Sequence, residues 1–275
     1  MELMRLNKMI SHNTHYSRRE ADELIKAGHV KVDGVVVEDL STQVSFKNKI
    51  ELGNKALFEK HGYSVIVYHK QKGELVSKKD DRGRRTIYDT LPSQFGHYLS
   101  VGRLDFASEG LLLLCDSPSV VSALMHGDLE RVYYVKINGM ITSAMEKAMQ
   151  EGLSLENARK GGHSHSEIRS MDFAPFVSYR IIKNNPTFST IKVTINEGKN
   201  RELRRFFGYF DVDVVDLKRV SYGKIDLGML KPGKHRYFDG GEYTALRDYL
   251  EYVKRDNGKI QVVDTDEEDE EDDDQ

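Results

Sequence analysis

Gly102-Arg103-Leu104-Asp105-Phe106-Ala107-Ser108-Glu109-Gly110-Leu111-Leu112 is the densest signal in this chain of 275 residues. Its glycines allow tight turns, and the loop between them displays an arginine and a carboxylate two residues apart. Val101 precedes the loop, and the apolar run from Leu111 to Cys115 follows it as a buried strand. By pattern alone, a turn with a local ion pair is the preferred reading.

Outward from that loop, strands and helices mix without regular alternation. Tyr63 to Tyr68, residues 132–137 and residues 187–195 read as strands; residues 118–126, 142–151 and 200–210 read as helices. Several strands are close neighbours in sequence. The expected fold class is therefore α+β with a largely antiparallel sheet, not a doubly wound parallel fold. The first fifty residues form a unit of their own. Ser17 and Glu20 make a capping box, Ala21, Leu24 and Ile25 follow as a helical apolar face, and Gly28 suits the stop. Asp33-Gly34 between two valine-rich runs is a hairpin signal. The expected division is a first domain at 1–50, a polar linker at 51–61, a larger domain at 62–253 and an acidic disordered tail at 254–275.

Composition bounds the function. The chain is 39% hydrophobic and 31% charged, and no apolar run is long enough to cross a bilayer. No basic stretch leads into an apolar signal core, so no export is expected. The single cysteine, Cys115, allows no internal disulfide and fits a reducing cytoplasm; its apolar neighbours suggest a buried strand thiol. The net charge of −3 hides an asymmetry. Ten of the eleven residues from Asp264 to Asp274 are acidic, and without them 41 basic residues face 34 acidic ones, a body at +7. Such a body suits an anionic partner. The tail itself reads as a solvated solubility element, or else as a competitor of that anionic partner for the basic surface.

Two resemblances sharpen this. Arg5 to Lys8, Ser17 to Ala21 and Gly28 to Gly34 resemble the S4 RNA-binding domain. The likeness implies that Arg5, Lys8, Arg18, Arg19 and Lys31 contact phosphates, where cations gain by counterion release. The loop at 102–112 resembles the catalytic loop of pseudouridine synthases, Gly/His-Arg-Leu-Asp-x-x-Thr/Ser-x-Gly-Leu-Leu, with Ser108 keeping the hydroxyl of the commoner threonine. Arg131 to Val135 resembles the family's basic-x-Tyr-x-Val strand, which implies Tyr133 as the active-site tyrosine; alternation sets it on the face opposite Tyr134. Glu197 to Arg205 resembles the family's Gly-x-x-His/Arg-x-Val/Ile-Arg/Lys-Arg segment and implies Arg204 as the partner of Asp105, with Arg205 the fallback. On a helix, Arg201, Arg204 and Arg205 would share one face. Lys70 to Pro92 is similar to the segment before the catalytic loop in the S4-bearing branch typified by RsuA, RluB, RluE and RluF. Its Lys78, Lys79, Arg82, Arg84 and Arg85 are expected to contact the RNA backbone, as are Arg103, Lys199, Arg201 and Arg205.

The resemblance spans about residues 4–250 and implies an isomerase that needs no cofactor and no metal. Asp105 would act as nucleophile or as base, Tyr133 would lie against the uracil, and Arg103 would fill the space the flipped base leaves. Asn200 to Arg205 and Leu124 to His126 look closest to the enzymes acting on 23S, large-subunit ribosomal RNA. The alternatives are 16S, small-subunit ribosomal RNA as substrate, and a non-catalytic RNA-binding ribosome-assembly factor. A cytoplasmic monomer working on ribosomal RNA or a pre-ribosomal particle, away from membranes, is expected. His163 and His165 make only a weak metal signal, and Gly161-Gly162 beside them reads as a mobile glycine-rich loop.

Overall fold

A computed structural model describes residues 3–14, 16–58, 62–162 and 168–257. The acidic run at 264–274, His163 and His165 lie outside the described residues. The chain divides into two compact units. One holds the described residues up to Ser64 with His97–Leu99 and Cys115–Ser122; the other holds Val65–Gly96, Ser100–Leu114 and the described residues from Ala123 on.

The first unit runs β1 (Met4–Arg5), α1 (Leu6–Asn13), α2 (Arg18–Lys26), β2 (Val30–Val32), β3 (Val35–Val36), β4 (Gln43–Val44), β5 (Ile50–Leu52) and β6 (Lys55–Ala56). The capping box forms as the sequence predicts: Glu20 N–H donates to Ser17 Oγ and Ser17 N–H to Glu20 Oε2. Leu6, Met9 and Ile10 of α1 and Ala21 and Ile25 of α2 then meet in one core with Val30, Val44 and Ile50. Asp33 and Gly34 both take positive φ, 52° and 85°, as a type I′ hairpin turn requires. The Asp33 carboxylate is held further by Lys49 N–H and Asn48 Nδ2, which lower its pKa. Residues 51–56 correct the expected linker. Glu51 and Leu52 pair with Lys31 and Val30, and β6 folds back on β5. The polar turn at Gly53-Asn54 closes a hairpin whose first strand, β5, pairs with β2 far earlier in the chain, Glu51 against Lys31.

The chain continues through β7 (Val65–Lys70), β8 (Leu99–Ser100), β9 (Glu109–Cys115), α3 (Pro118–His126), β10 (Arg131–Ile137), α4 (Ser143–Glu151), β11 (Leu153–Leu155), β12 (Met171–Phe173), β13 (Ser178–Lys183), β14 (Ser189–Ile195), α5 (Glu202–Tyr209), β15 (Val214–Tyr222), β16 (Ile225–Asp226), β17 (His235–Tyr237) and α6 (Gly240–Asn257). Among the described residues, a nine-stranded sheet has the central order β13-β14-β10-β15-β9-β7-β17. Pairing of β10 with β14 and β15, and of β13 with β14, is antiparallel; β15 runs parallel to β9. The fold is thus α+β with a largely antiparallel sheet. Strand β10 alternates as predicted, with Tyr133, Val135 and Ile137 buried and Tyr134 and Lys136 exposed. Helix α5 buries Leu203, Phe206 and Phe207 in the same core, where Phe206 packs against Phe173 and Phe176. Helix α6 runs to Asn257, so residues 254–257 belong to a helix and not to a tail. No helix among the described residues is long and apolar enough to cross a membrane.

Candidate active site

The loop before β9 is fixed from below. Lys70, fully buried at the end of β7, donates through Nζ to the carbonyls of Gln71, Asp105 and Ser108. Ser108 N–H closes a turn on the Asp105 carbonyl. Gly110, at φ 114°, pairs with Arg219 of β15. A Cβ there would sit 2.7 Å from the Arg219 nitrogen and nearer still to its carbonyl oxygen, so no larger residue fits. This explains the glycine after the carboxylate: the loop must cross against a strand at backbone contact.

Arg204 of α5 reaches this loop with three prongs. Nε donates to Asp105 Oδ2 at 2.9 Å, Nη2 to Ser108 Oγ at 3.1 Å and Nη1 to the Val214 carbonyl at 2.9 Å. The Ser108 hydroxyl therefore positions the arginine, which is why the motif keeps a hydroxyl there. Burial pulls the Arg204 pKa down while Asp105 pushes it back up. A second guanidinium, Arg201, stands 3.7 Å from the same Oδ2 and donates through Nε to the Gly161 carbonyl. Asp105 keeps 24% side-chain exposure, against 10% for Arg204, so the carboxylate is the member of the pair that a ligand can reach.

Asp105, Arg103, Tyr133, Lys199 and Arg201 line one cavity of about 170 Å3. Tyr133 is 7% exposed there, and Arg103 is exposed. Five further polar residues on the wall stand outside the predicted site: Ser108, already described, and Arg131, Glu202, Arg219 and Tyr222. Arg131 and Glu202 lay inside the quoted motifs without an assigned role. Arg219 and Tyr222 carry no local signal, because only the register of β15 against β10 brings them in. Arg131 donates to the Asn196 carbonyl and the Tyr222 hydroxyl, which in turn donates to the Leu124 carbonyl. Glu202, buried at the start of α5, has its pKa pushed up to about 7 by burial, against the Lys199 N–H that favours the anion. The wall carries five cationic side chains (Arg103, Arg131, Lys199, Arg201, Arg219) and two carboxyl groups.

One expected RNA contact is corrected, and a second, Arg84, is engaged within the protein. Arg205 is fully buried and donates to the carbonyls of Ala158 and Asn200. The helix starts only at Glu202, with Arg201 as a left-handed N-cap at φ 49°, so the three arginines do not share a face. Arg84 is bound by Asp80, which accepts from its Nε, Nη2 and backbone N–H. In the same segment Lys78 lies over the Tyr88 ring at 3.9 Å and Arg85 stands 3.8 Å from Glu74, while Lys79 and Arg82 are exposed. In the first unit Arg5, Arg18, Arg19 and Lys31 are exposed and Lys8 is half-buried. Lys8 and Arg18 lie close enough to His12 to help burial lower its pKa to about 4, which marks a shared positive field. Gly161 and Gly162 are packed against α5 rather than forming an open loop: a Cβ on Gly162 would lie 2.6 Å from Arg205 Nη1.

Comparison with known proteins places the chain in a family. The family described as RNA pseudouridylate synthase matches residues 64–209, and the S4 domain matches residues 4–50. A Helicobacter pylori protein named uncharacterized RNA pseudouridine synthase is 50% identical over 249 residues, 90% of this chain and 95% of its own. The ribosomal large subunit pseudouridine synthase B of Bacillus subtilis is 32% identical over 252 residues, 91% of this chain and 98% of its own. A crystal structure of a pseudouridylate synthase shares the fold at TM-score 0.60 and 24% identity, over 88% of this chain and 99% of that one. The chain belongs to the RNA pseudouridine synthase family, and with an S4 domain ahead of its synthase domain it is an isomerase that turns uridine in RNA into pseudouridine.

Proposed function

We propose that Asp105 carries the isomerisation, with Arg204 as its partner and Tyr133 against the base, and that the substrate is a uridine of 23S ribosomal RNA. The observation that carries the reading is convergence. Residues 105, 133 and 204 come from a loop, a strand and a helix far apart in sequence, yet Asp105 and Tyr133 face one cavity and Arg204 grips Asp105 at 2.9 Å. The reaction breaks N1–C1′ and forms C5–C1′; C5 gives up a proton and N1 takes one, so the atoms balance within one nucleotide. A stacked base cannot turn, so the uridine is flipped out, at about a few kcal/mol. Arg103, exposed at the cavity mouth, fills the space it leaves.

Asp105 then acts on the sugar or its proton, as nucleophile or as base. Two guanidiniums stand beside one of its oxygens, Arg204 at 2.9 Å and Arg201 at 3.7 Å, and fix its position in the cavity. Tyr133 lies against the ring and serves proton transfer. Arg103 and Lys199 on the cavity wall and the exposed Arg5, Arg18, Arg19 and Lys31 take the RNA backbone. The Bacillus subtilis relative, matched over nearly its whole length, supports the large subunit as the target. Ribosomal RNA as substrate puts the work in the cytoplasm, and one flipped nucleotide per cavity requires no second copy.

Asp105→Asn tests the chemistry: pseudouridine formation in transcribed ribosomal RNA is lost while RNA affinity stays within about threefold. Normal turnover by that variant removes the assignment. A pseudouridine map of both ribosomal RNAs with and without the gene tests the target. A missing site in 16S moves the substrate to the small subunit, and no missing site in either moves it to another RNA.

A further inference from the structure

Arg219 is the most deeply buried of the five cations on the cavity wall. It is 3% exposed. Nε donates to the Leu111 carbonyl at 2.7 Å, and the guanidinium lies 5.2 Å from the Tyr222 ring centre. Nη2 is buried and has no hydrogen-bond partner among the described residues. A buried donor left unpaired is costly, and a charged one more so. Glycine packing makes its position rigid: β15 meets β9 at Gly110, so the Arg219 backbone cannot slide.

The register gives that position a meaning. Arg219 pairs directly with Tyr133 across β10 and β15, and both side chains line the cavity. Side chains of such pairs start about 5 Å apart. A ring lying on Tyr133 therefore brings its edge to Arg219. We propose that Arg219 is a substrate-binding residue whose Nη2 donates to a carbonyl oxygen of the flipped uracil. A guanidinium only donates, so it meets O2 or O4 and not the N3–H. Set at O4 it also excludes cytosine, whose amino group is a donor. The backbone phosphates have other partners: Arg103 and Lys199 are exposed on the same wall, whereas Arg219 is enclosed on the sheet. This inference rests on the reading of the cavity as the place where uridine turns.

The experiment is a cycle between protein and substrate. Wild type, Arg219→Met and Arg219→Lys are given transcribed 23S ribosomal RNA made with uridine, 2-thiouridine or 4-thiouridine, and the digested nucleosides are separated to read turnover. Sulfur is the weaker acceptor, so one thio-substitution slows wild type by about 10- to 100-fold, the span of a charge-assisted hydrogen bond. In Arg219→Met the uridine rate falls by a similar factor and the sulfur penalty disappears; Arg219→Lys restores part of both. Loss of the 4-thio penalty assigns O4, and loss of the 2-thio penalty assigns O2. Because each penalty is a ratio within one variant, partial unfolding cancels. Equal penalties in wild type and Arg219→Met, or no penalty in wild type, overturn the proposal. So does a phosphorothioate RNA whose penalty alone vanishes in Arg219→Met, since that assigns the residue to the backbone. Asp105→Asn run alongside separates the failures: full turnover there removes the cavity reading itself, while an inactive Asp105→Asn with unchanged sulfur penalties removes only Arg219.

Discussion

Replacing Glu202 by glutamine should make the protein more stable, by an amount that grows as pH rises from about 4.5 and is complete above about 7. Glu202 opens α5 with 6% exposure, and burial outweighs the Lys199 N–H and the nearby Lys199 and Arg131 charges that favour its anion. Its pKa stands at about 7 against an ordinary 4.5. Below the ordinary value the carboxyl is protonated in the folded and unfolded chain alike. Between the two values the folded state holds a proton that the unfolded state has lost, so stability falls as pH rises. Above about 7 the whole difference has gone. At about 1.4 kcal/mol per pH unit it amounts to about 3 kcal/mol for this one group.

Glutamine fixes the neutral form and keeps an oxygen for the Lys199 N–H. The measurement is a series of urea unfolding curves for both proteins from about pH 4.5 to about pH 8.5. Other carboxylates titrate in both and cancel in the difference. The curves should nearly coincide at the acid end and part by about 3 kcal/mol at the alkaline end, or about 6–12 °C in melting temperature. A gap that stays constant across the range would show that Glu202 does not titrate near neutrality and that its burial is compensated by contacts.

The remaining predictions separate roles that the sequence merges. Arg204→Ala should lose turnover with a folded enzyme, whereas Arg205→Ala should lower the unfolding free energy by about 3 kcal/mol by orphaning buried carbonyls; equal loss of stability in both would contradict the division. Gly110→Ala should cost more than about 3 kcal/mol, because the added carbon overlaps the Arg219 backbone at a φ that alanine resists; a normal melting curve would place the β9–β15 contact elsewhere. Arg18→Ala and Arg19→Ala together should reduce the slope of log affinity against log salt by about 2, with little change in turnover at saturating RNA. An unchanged slope takes these two residues off the phosphates.

Local chemistry was legible in the first fifty residues because each element carries its own start and stop. Ser17 and Glu20 cap α2 within four residues, and Asp33-Gly34 sets the hairpin register without help from elsewhere. The linker was misread for the opposite reason. Glu51-Leu52-Gly53-Asn54-Lys55 is polar and short, and what makes it sheet is the edge of β2 waiting for it. In the same way the glycines at 161 and 162 read as freedom. In the fold they are the only residues thin enough to let that segment touch α5.

The site shows where residue type misleads. An arginine in a sequence suggests a solvated charge, and spacing of i, i+3 and i+4 suggests a shared face. Both inferences assume that the helix runs through residue 201 and that its polar side meets water. The left-handed turn at Arg201 breaks the first assumption, and the Ala158 carbonyl waiting beneath Arg205 breaks the second. The result is three adjacent arginines with three fates: Arg201 at the cavity wall, Arg204 on Asp105, Arg205 in the core. Arg219 extends the same lesson to the sheet. It follows Lys218 in a strand that would pass for an exposed edge, yet it is enclosed because β9, β10 and Tyr222 meet around it. Buried cations of this kind are tolerated only where something offsets them. Arg204 has Asp105, Arg205 has carbonyls, and Arg131 has Asn196 and Tyr222; Arg219 alone of these four has a buried nitrogen without a hydrogen-bond partner among the described residues, and it does so on the wall of the cavity that Asp105 shares.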